Sequence, residues 1–572
     1  MENVTQVSFG RTLKLQIRSY KYIYTGKVKT IMIIIGITAY YHDSSACLFI
    51  DNELVFACEE EKFSGIKHDS SFPHKTVDHI FKTYNLTKSD IDCVCYYEDP
   101  KLRLKRKKSY FKSLINVIKV RYNIHKISKN VHYTPHHISH MTYSYLSSSF
   151  NDAVIVSVDG VGETTTVSIG KGENGKITQL KTIDYPNSFG LFYSAMTAFL
   201  GFKPNEGEYK VMGLASYGNP HFYRKKLRKL FDYWGGELKC NMEYFNWDRS
   251  SRTMFNEKLE TFLGMETRLP VDPITQNHKN LAASVQEAYE MSFFYLLKES
   301  KRSFYSTNLC LGGGCAYNGR ANGKIYNENI FKEIWIPPAP SDAGSSIGSC
   351  LDYITRILGQ NVRVDNNPFL GPSYTENEIF SVIQETEGIL YKKYTDRWLL
   401  KNVAKYLKSG LIVGWFQDRI EFGARALGNR SILANPTIST MKDDINKVIK
   451  KREGFRPFAP MVTFEDQSKY FNSSKYIPYM NQVVDVKKEY IDKLPAVTHI
   501  DGTARVQSVK QDNPIYYLLK EFEKLSEFPI LLNTSFNVKD KTMVLTPKDA
   551  MDTFLDTKMD VLVMGAYVIY KL

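Results

Sequence analysis

Two histidines four residues apart, His136 and His140, stand in the run Pro135-His136-His137-Ile138-Ser139-His140. On a helix that spacing puts both imidazoles on one face, as a pair of metal ligands requires. Pro135 suits the first turn of such a helix. Asp159 follows an apolar run soon after, and Asp342 opens a further predicted helix in Pro340-Ser341-Asp342-Ala343-Gly344. Together they form a candidate set of mixed nitrogen and oxygen ligands. Iron(II), manganese and zinc all accept such a set, and residue type alone does not choose among them. The competing reading is a structural histidine pair.

A second group is cationic. Arg425 lies in the run Glu421 to Ser431, Lys450, Arg452 and Arg456 lie close together, Arg505 lies in Asp501 to Gln507, and Asn533 and Ser535 lie in Asn533 to Asn537. Guanidinium forks bind phosphate or carboxylate bidentately. Each alone is more simply a surface cation, but the set points to one anion pocket. A third group is His42-Asp43, with Lys67-His68 in the loop beyond. His42 is a candidate general base near neutral pH and Asp43 a candidate to orient a hydroxyl. A polar turn closing its own hydrogen bonds is the plainer reading. Gly312-Gly313-Gly314 follows a short apolar run and precedes a predicted helix, a setting in which backbone N–H groups approach a phosphate or nucleotide.

The elements that must position these groups repeat one plan. Apolar runs at Ile33–Ile37, Ala46–Ile50 and Leu54–Cys58 are separated by the turns at His42–Ser45 and Asp51–Asn52. Runs at Ala153–Val158, Thr164–Ile169 and Ile177–Asp184 are separated by turns at Asp159–Gly160 and near Gly172. Turn residues bounding β-branched runs predict a three-strand meander twice over, each followed by helices. That is the plan of the actin-like phosphotransferase fold, whose first polar turns face the cleft. Residues 361–374, with Pro368, Gly371 and Pro372, read as a boundary loop. The chain then ends in an apolar run, Val561 to Tyr570, predicted as a single closing strand.

Composition bounds the rest. With 572 residues, 43% hydrophobic and 24% charged, the chain can bury sizeable cores, and global disorder is excluded. No apolar run approaches the ~18 residues of a membrane span. The eight cysteines lack paired metal-ligand spacing and read as free thiols of a reducing cytoplasm. The net charge of +14 is local: residues 1–31 carry +5 and residues 101–129 carry +11, leaving −2 elsewhere. Residues 101–129 read as an amphipathic helix with a solvated basic face, a role at an anionic surface being the minor reading. The basic leader, residues 1–31, with Arg11, Lys14, Arg18 and Lys21, lacks the apolar centre of a secretory signal. A transit peptide is one reading; a start at Met32, with the leader non-native, is the simpler one.

These motifs together resemble the O-carbamoyltransferases of the nodulation-protein and antibiotic-tailoring type, the tobramycin carbamoyltransferase type. The matching stretches run in order from Met32 to the C-terminus: Tyr41–Ala46, Glu59–Ser64, His136–His140, Gly207–Leu214, Gly312–Ala316, Ser341–Gly344, the Arg425 run, Arg456–Pro460 and Asn533–Asn537. Ala424 stands where proline is common, and Ile66 where a basic residue is common. The resemblance implies an α/β chain. A duplicated actin-like domain (32–365), similar to the metal-dependent threonylcarbamoyl-transferases, precedes an α+β YrdC-like domain (370–572). It implies that Arg425, Lys450, Arg456, Arg505, Asn533 and Ser535 bind carbamoyl phosphate and ATP and form carbamoyl-AMP. It implies a divalent metal, iron(II) in the family, on His136, His140, Asp159 and Asp342, with Gly312, Gly313 and Gly314 approaching the nucleotide. His42, assisted by Asp43 and Lys67, would activate a hydroxyl of a sugar, an antibiotic or another secondary metabolite. A homodimer is compatible with this reading. The alternative is an actin-like small-molecule kinase, which leaves the arginine-rich second domain idle. Nucleic-acid binding is disfavoured because the basic charge is confined to one segment.

Overall fold

The computed structural model describes residues 31–104, 110–250 and 252–572. The readings of residues 1–30, and of 105–109 within the basic segment, lie outside the described residues.

The first sheet contains β1 (Ile33–Thr38), β2 (Ser45–Ile50), β3 (Glu53–Glu59), β4 (Cys93–Tyr96) and β5 (Val131–Tyr133) in the order β3-β2-β1-β4-β5. The second contains β6 (Asp152–Val158), β7 (Thr165–Glu173) and β8 (Lys176–Asp184), then, after a small hairpin of β9 (Phe231–Trp234) and β10 (Glu237–Cys240), β11 (Asn308–Gly312) and β12 (Glu333–Trp335). Its order is β8-β7-β6-β11-β12. In both sheets the first three strands form an antiparallel meander, and the last two join the first strand in parallel. The two sheets are therefore topological copies, as the repeated runs predict.

Four helices matter here: α1 (Tyr110–His125), α2 (His136–Leu146), α3 (Gln276–Phe304) and α4 (Asp342–Asp352). α2 and α4 each follow the last strand of one sheet, so they occupy equivalent places. They lie side by side between the two sheets in one core, with Met141, Tyr143, Ile347 and Leu351 packed against Ile34 and Phe49 on one side and Ile155 on the other. Small residues permit this approach. A Cβ on Gly348 would meet the Ser139 carbonyl oxygen at 2.0 Å, and one on Gly36 of β1 would meet that of Ser346 at 2.1 Å. α1 covers the outer face of the first sheet through Val120 and Ile124, and α3 covers that of the second.

The third sheet has eight strands: β13 (Ile389–Lys393), β14 (Val413–Phe416), β15 (Arg430–Ala434), β16 (Ala459–Thr463), β19 (Gln507–Val509), β20 (Ile530–Ser535), β21 (Val561–Met564) and β22 (Tyr567–Lys571). The two-strand pair β17 (Val484–Asp485) and β18 (Thr503–Ala504) lies apart from it. Alternation along β21 sends Val561 and Val563 to one face and Leu562 and Met564 to the other. Each face is covered by helices, Asp396–Lys408 with Ile515–Ser526 on the first and Glu376–Gln384 with Pro547–Leu555 on the second. The closing run is not one strand: Gly565, at φ 54°, turns the chain between β21 and β22. The continuous apolar pattern concealed this because both strands are buried on both faces. All eight cysteines are unpaired, seven buried and Cys315 half-buried.

Candidate active site

The duplication brings the histidines and aspartates together. His136 and His140 lie on the first turns of α2, Asp342 is the first residue of α4, and Asp159 directly follows β6. His136 Nε2 lies 3.0 Å from His140 Nε2 and 3.0 Å from Asp159 Oδ2. Asp342 Oδ1 is 3.5 Å from both imidazole Nε2 atoms. All four side chains are buried, and one ligand atom from each falls within 4.8 Å of the others. Their orientations are held from behind: His140 Nδ1 bonds Ser345 Oγ at 3.0 Å, and the Gly314 N–H donates to Asp159 Oδ1 at 2.9 Å.

Asp342 is fully buried, yet neither carboxylate oxygen has a hydrogen-bond partner among the described residues. An uncompensated buried carboxylate is strongly unfavourable. A divalent cation at the point where the four groups converge removes that penalty, and two imidazoles with two carboxylates suit one. The residues therefore fit a metal. The carboxylates already act on their neighbours: burial opposes it, but Asp342 and Asp159 raise His136 to about 9. His137, between the two ligands, turns away to the Thr165 carbonyl oxygen at 2.9 Å. Burial and His136 push its pKa down to about 3.

The β1–β2 turn, equivalent by topology to the turn after β6, carries His42 to the same place. His42 Nε2 is 3.8 Å from Asp342 Oδ2, and its Nδ1 is 3.0 Å from Asp43 Oδ2. Burial opposes it, but Asp342 and Asp43 raise His42 to about 10. That ring keeps its proton at neutral pH while no metal cation lies on Asp342; a cation there cancels that contribution. Asp43 is held well below the usual carboxylate range, against its burial, by His42 and His68. His68 Nδ1 is 2.7 Å from Asp43 Oδ1, and the His68 N–H donates to Glu61 Oε2 at 2.8 Å. Sequence reasoning chose Lys67 and passed over His68. Lys67 is exposed on the cavity wall, and His68 is the member that completes the line His42–Asp43–His68. Tandem polar residues in a loop carry no signal for which one turns inward. His68→Ala is expected to slow carbamoyl transfer about tenfold, as loss of a group orienting a catalytic side chain does. KM should hardly move, and His68→Asn, whose amide mimics Nδ1, should recover most of the rate in steady-state assays.

The cations gather at one end of the third sheet. Arg425 lies between β14 and β15, Asn533 and Ser535 lie on β20, and Arg505 precedes β19. Arg505 is held well below the usual guanidinium range, first by burial and then by Arg425, Arg452 and Arg456. Burial and Arg456 push Arg452 down to about 9, and burial with Arg452, Arg456 and Lys67 depresses Lys450. Aromatic faces seat three of these groups: Arg425 lies 5.8 Å from the Tyr317 ring, Arg452 4.7 Å from Phe458 and Arg456 4.8 Å from Tyr209. Lys450 Nζ donates to Asn537 Oδ1 at 2.8 Å and to the Ser535 carbonyl. Asn533 Nδ2 donates to the Ala426 carbonyl at 3.0 Å and to Gln507 Oε1 at 2.8 Å, leaving its Oδ1 buried without a partner among the described residues. Four half-buried arginines and the buried Lys450, mutually repelling, form an anion site. Arg452, part of the cationic group read from the sequence but absent from the set that the resemblance implies, lies on the same cavity wall.

One continuous cavity of about 460 Å³ is lined by His42, Asp43, Asp159 and Gly314 as well as by Arg425, Lys450, Arg505 and Asn533. Gly312 and Gly313 are not on its wall. A Cβ on Gly312 would meet the His140 carbonyl oxygen at 2.9 Å, and one on Gly313, at φ 84°, that of Val158 at 2.2 Å. Those two glycines serve close packing of backbones, and Gly314 alone of the three faces the cavity.

Contacts across the cavity tie the halves together. Lys210 pairs with Glu453 at 3.0 Å, Arg320 with Asp501 at 2.6 Å, and the Gly423 N–H donates to Glu59 Oε1 at 2.7 Å. Burial, partly offset by Lys62, raises Glu59 from 4.5 to about 7. A carboxyl raised on folding contributes stability that is fully present below the unfolded pKa and lost as pH rises through the folded one. Glu59→Gln has no charge to bury. Its melting temperature relative to the parent protein should therefore climb between pH 5 and pH 8, by an amount worth roughly 3 kcal/mol at most. Parallel melting curves would contradict this.

Two family models match the chain. The one described as the carbamoyltransferase N-terminus covers residues 33–117 and 103–351, and the one described as the carbamoyltransferase C-terminus covers 404–571. Nodulation protein NolNO of Sinorhizobium fredii is 34% identical over 93% of this chain and 79% of its own length. Nodulation protein NolO of Bradyrhizobium diazoefficiens is 36% identical over 76% of this chain and 78% of its own. An uncharacterized protein of Synechocystis sp. is 38% identical over 94% and 96%. Among solved structures, HypF of T. kodakarensis matches 58% of this chain and 48% of its own at 14% identity and TM-score 0.32, too low to carry an argument. With both family models matched in order and relatives aligned along nearly the whole length, the chain belongs to the carbamoyltransferase family and is an enzyme of carbamoyl transfer.

Proposed function

We propose that the protein makes carbamoyl-AMP from carbamoyl phosphate and ATP at the cationic end of the cavity. The carbamoyl group is then passed to a hydroxyl of a sugar, an antibiotic or another secondary metabolite at the histidine–aspartate end. The observation that carries this reading is one cavity that runs from the cationic pocket to His42 and Asp159, the latter being the member of the metal-competent group on its wall.

Carbamate is a poor acyl donor until it is activated as a mixed anhydride. Carbamoyl phosphate with water yields carbamate and orthophosphate. A carbamate oxygen then bonds to the α-phosphorus of ATP as the bond to pyrophosphate breaks. Arg425, Lys450, Arg456 and Arg505 meet the phosphate charge, with Ser535 beside Lys450. The unpartnered Asn533 Oδ1 accepts from the carbamoyl NH₂, and its orientation is set by the two bonds at Nδ2. In the second step the acceptor oxygen bonds to the carbamoyl carbon as the carbon–oxygen bond to AMP breaks. The hydroxyl proton passes to His42, aligned by Asp43, and Lys67 meets charge along the seam. A divalent metal, iron(II) in this proposal, supplies Lewis acidity toward the carbamoyl oxygen and the adenylate phosphate. Enclosure matters because the anhydride is labile in water.

Incubating the protein with carbamoyl phosphate and ATP, without acceptor, is expected to release pyrophosphate and accumulate carbamoyl-AMP, both dependent on carbamoyl phosphate. Absence of pyrophosphate from the metal-loaded protein, together with transfer of the ATP γ-phosphate to a hydroxyl compound once one is added, would overturn the proposal in favour of a kinase.

A further inference from the structure

The outer face of α1 takes no part in the site described above. Its inner face is committed: Val120 and Ile124 are buried in the first core, and Asn123 Nδ2 donates to Tyr40 Oη at 2.7 Å. Its outer face presents a stripe of large apolar side chains. Ile115, Ile118 and Tyr122, spaced three and four apart, are 50%, 59% and 63% exposed. Lys119, Arg121 and Lys126 are exposed around them, with Lys126 Nζ lying 4.1 Å over the Tyr122 ring. No aspartate or glutamate occurs between Lys101 and Lys129, whereas the chain outside that segment and the leader sums to −2. Lys119, Arg121 and Lys126 thus border the apolar stripe within an acid-free stretch of sequence.

We propose that this face of α1 docks the protein on an anionic lipid surface. Exposed isoleucines and a tyrosine enter the boundary between headgroups and acyl chains, while the lysines and arginine remain among anionic headgroups. The charge complementarity selects this occupant. A second copy would set one acid-free helix face against another. A nucleic-acid backbone would engage the cations but offer nothing to Ile115 and Ile118.

The test is flotation of the full chain with phosphatidylcholine vesicles, with and without phosphatidylglycerol. Binding should require phosphatidylglycerol and weaken with salt. Each lysine near an anionic surface is worth about a fivefold factor in partitioning, so Lys119→Gln with Lys126→Gln should lower it about 25-fold. Ile115→Ser with Ile118→Ser should lower it about tenfold or more at unchanged charge. Both variants keep the basic leader, so a loss is assigned to α1, and unchanged carbamoyl-AMP formation shows that the fold is intact. Absence of binding by the parent protein, or binding that both variants retain, overturns the proposal. So does salt-sensitive binding to duplex RNA that Ile115→Ser with Ile118→Ser leaves unchanged, without binding to vesicles.

Discussion

Replacing His136 by alanine is expected to abolish formation of the O-carbamate while pyrophosphate release from carbamoyl phosphate and ATP continues. His136 Nε2 sits at the centre of the cluster, 3.0 Å from both His140 and Asp159 and 3.5 Å from Asp342. Without it one imidazole remains to face two buried carboxylates, and the site loses a neutral ligand that its geometry needs. Transfer should fall by roughly 10³-fold or more, since electrostatic stabilisation of the reacting group is among the largest catalytic terms. Metal content of the purified protein, read by elemental analysis, should fall with it. The cation pocket contributes no ligand to this cluster, so carbamoyl-AMP should accumulate rather than disappear. If His136→Ala lost pyrophosphate release as well, the assignment of the two chemistries to two ends of the cavity would be wrong.

Arg505→Ala should show the opposite pattern. Here pyrophosphate release falls by roughly 10²–10³-fold, the cost of removing one preorganised donor from a developing anion. Chemically supplied carbamoyl-AMP should still be used to a greater extent than carbamoyl phosphate and ATP. A second readout separates this from damage to the fold. Arg505 is half-buried, and desolvation together with Arg425, Arg452 and Arg456 holds it well below the usual guanidinium range. That mutual repulsion destabilises the empty pocket and is relieved when an anion binds. The variant should therefore melt at or above the parent temperature without ligand, yet lose the rise in melting temperature that phosphate or ATP produces. A variant that melted lower and kept the ligand-induced rise would contradict the role given to Arg505.

Much of this site was legible before the fold. The spacing of His136 and His140 is a local, helical property, and helix geometry alone put the two rings on one face. The repeated strand–turn–strand runs are likewise local, and they announced the duplication that brings Asp159 and His42 to equivalent turns. The grouping of Arg425, Lys450, Arg456 and Arg505 was inferred from residue type, because no other common role explains so many cations beside glycine-containing loops. Ordered motifs along the chain added the family and its activity.

Other features depend on distances between segments far apart in the chain, which no local pattern encodes. The inward turn of His68 rests on its bond to Asp43, twenty-five residues earlier. Gly312 and Gly313 looked like a ligand loop, but their Cβ directions are closed by the His140 and Val158 backbones, contacts that exist only once α2 and β6 have packed. The terminal apolar run splits into β21 and β22 because a strand buried on both faces shows no alternation to mark its end. The joining of the anion pocket to the histidine–aspartate centre is also tertiary. It rests on Lys210 with Glu453, Arg320 with Asp501 and Gly423 with Glu59, each bridging segments more than 150 residues apart. Sequence by itself determined which residues are candidates for the chemistry, because residue type and local period are written in the chain; the tertiary structure decided which of them meet along one cavity, because a cavity is a property of packed surfaces.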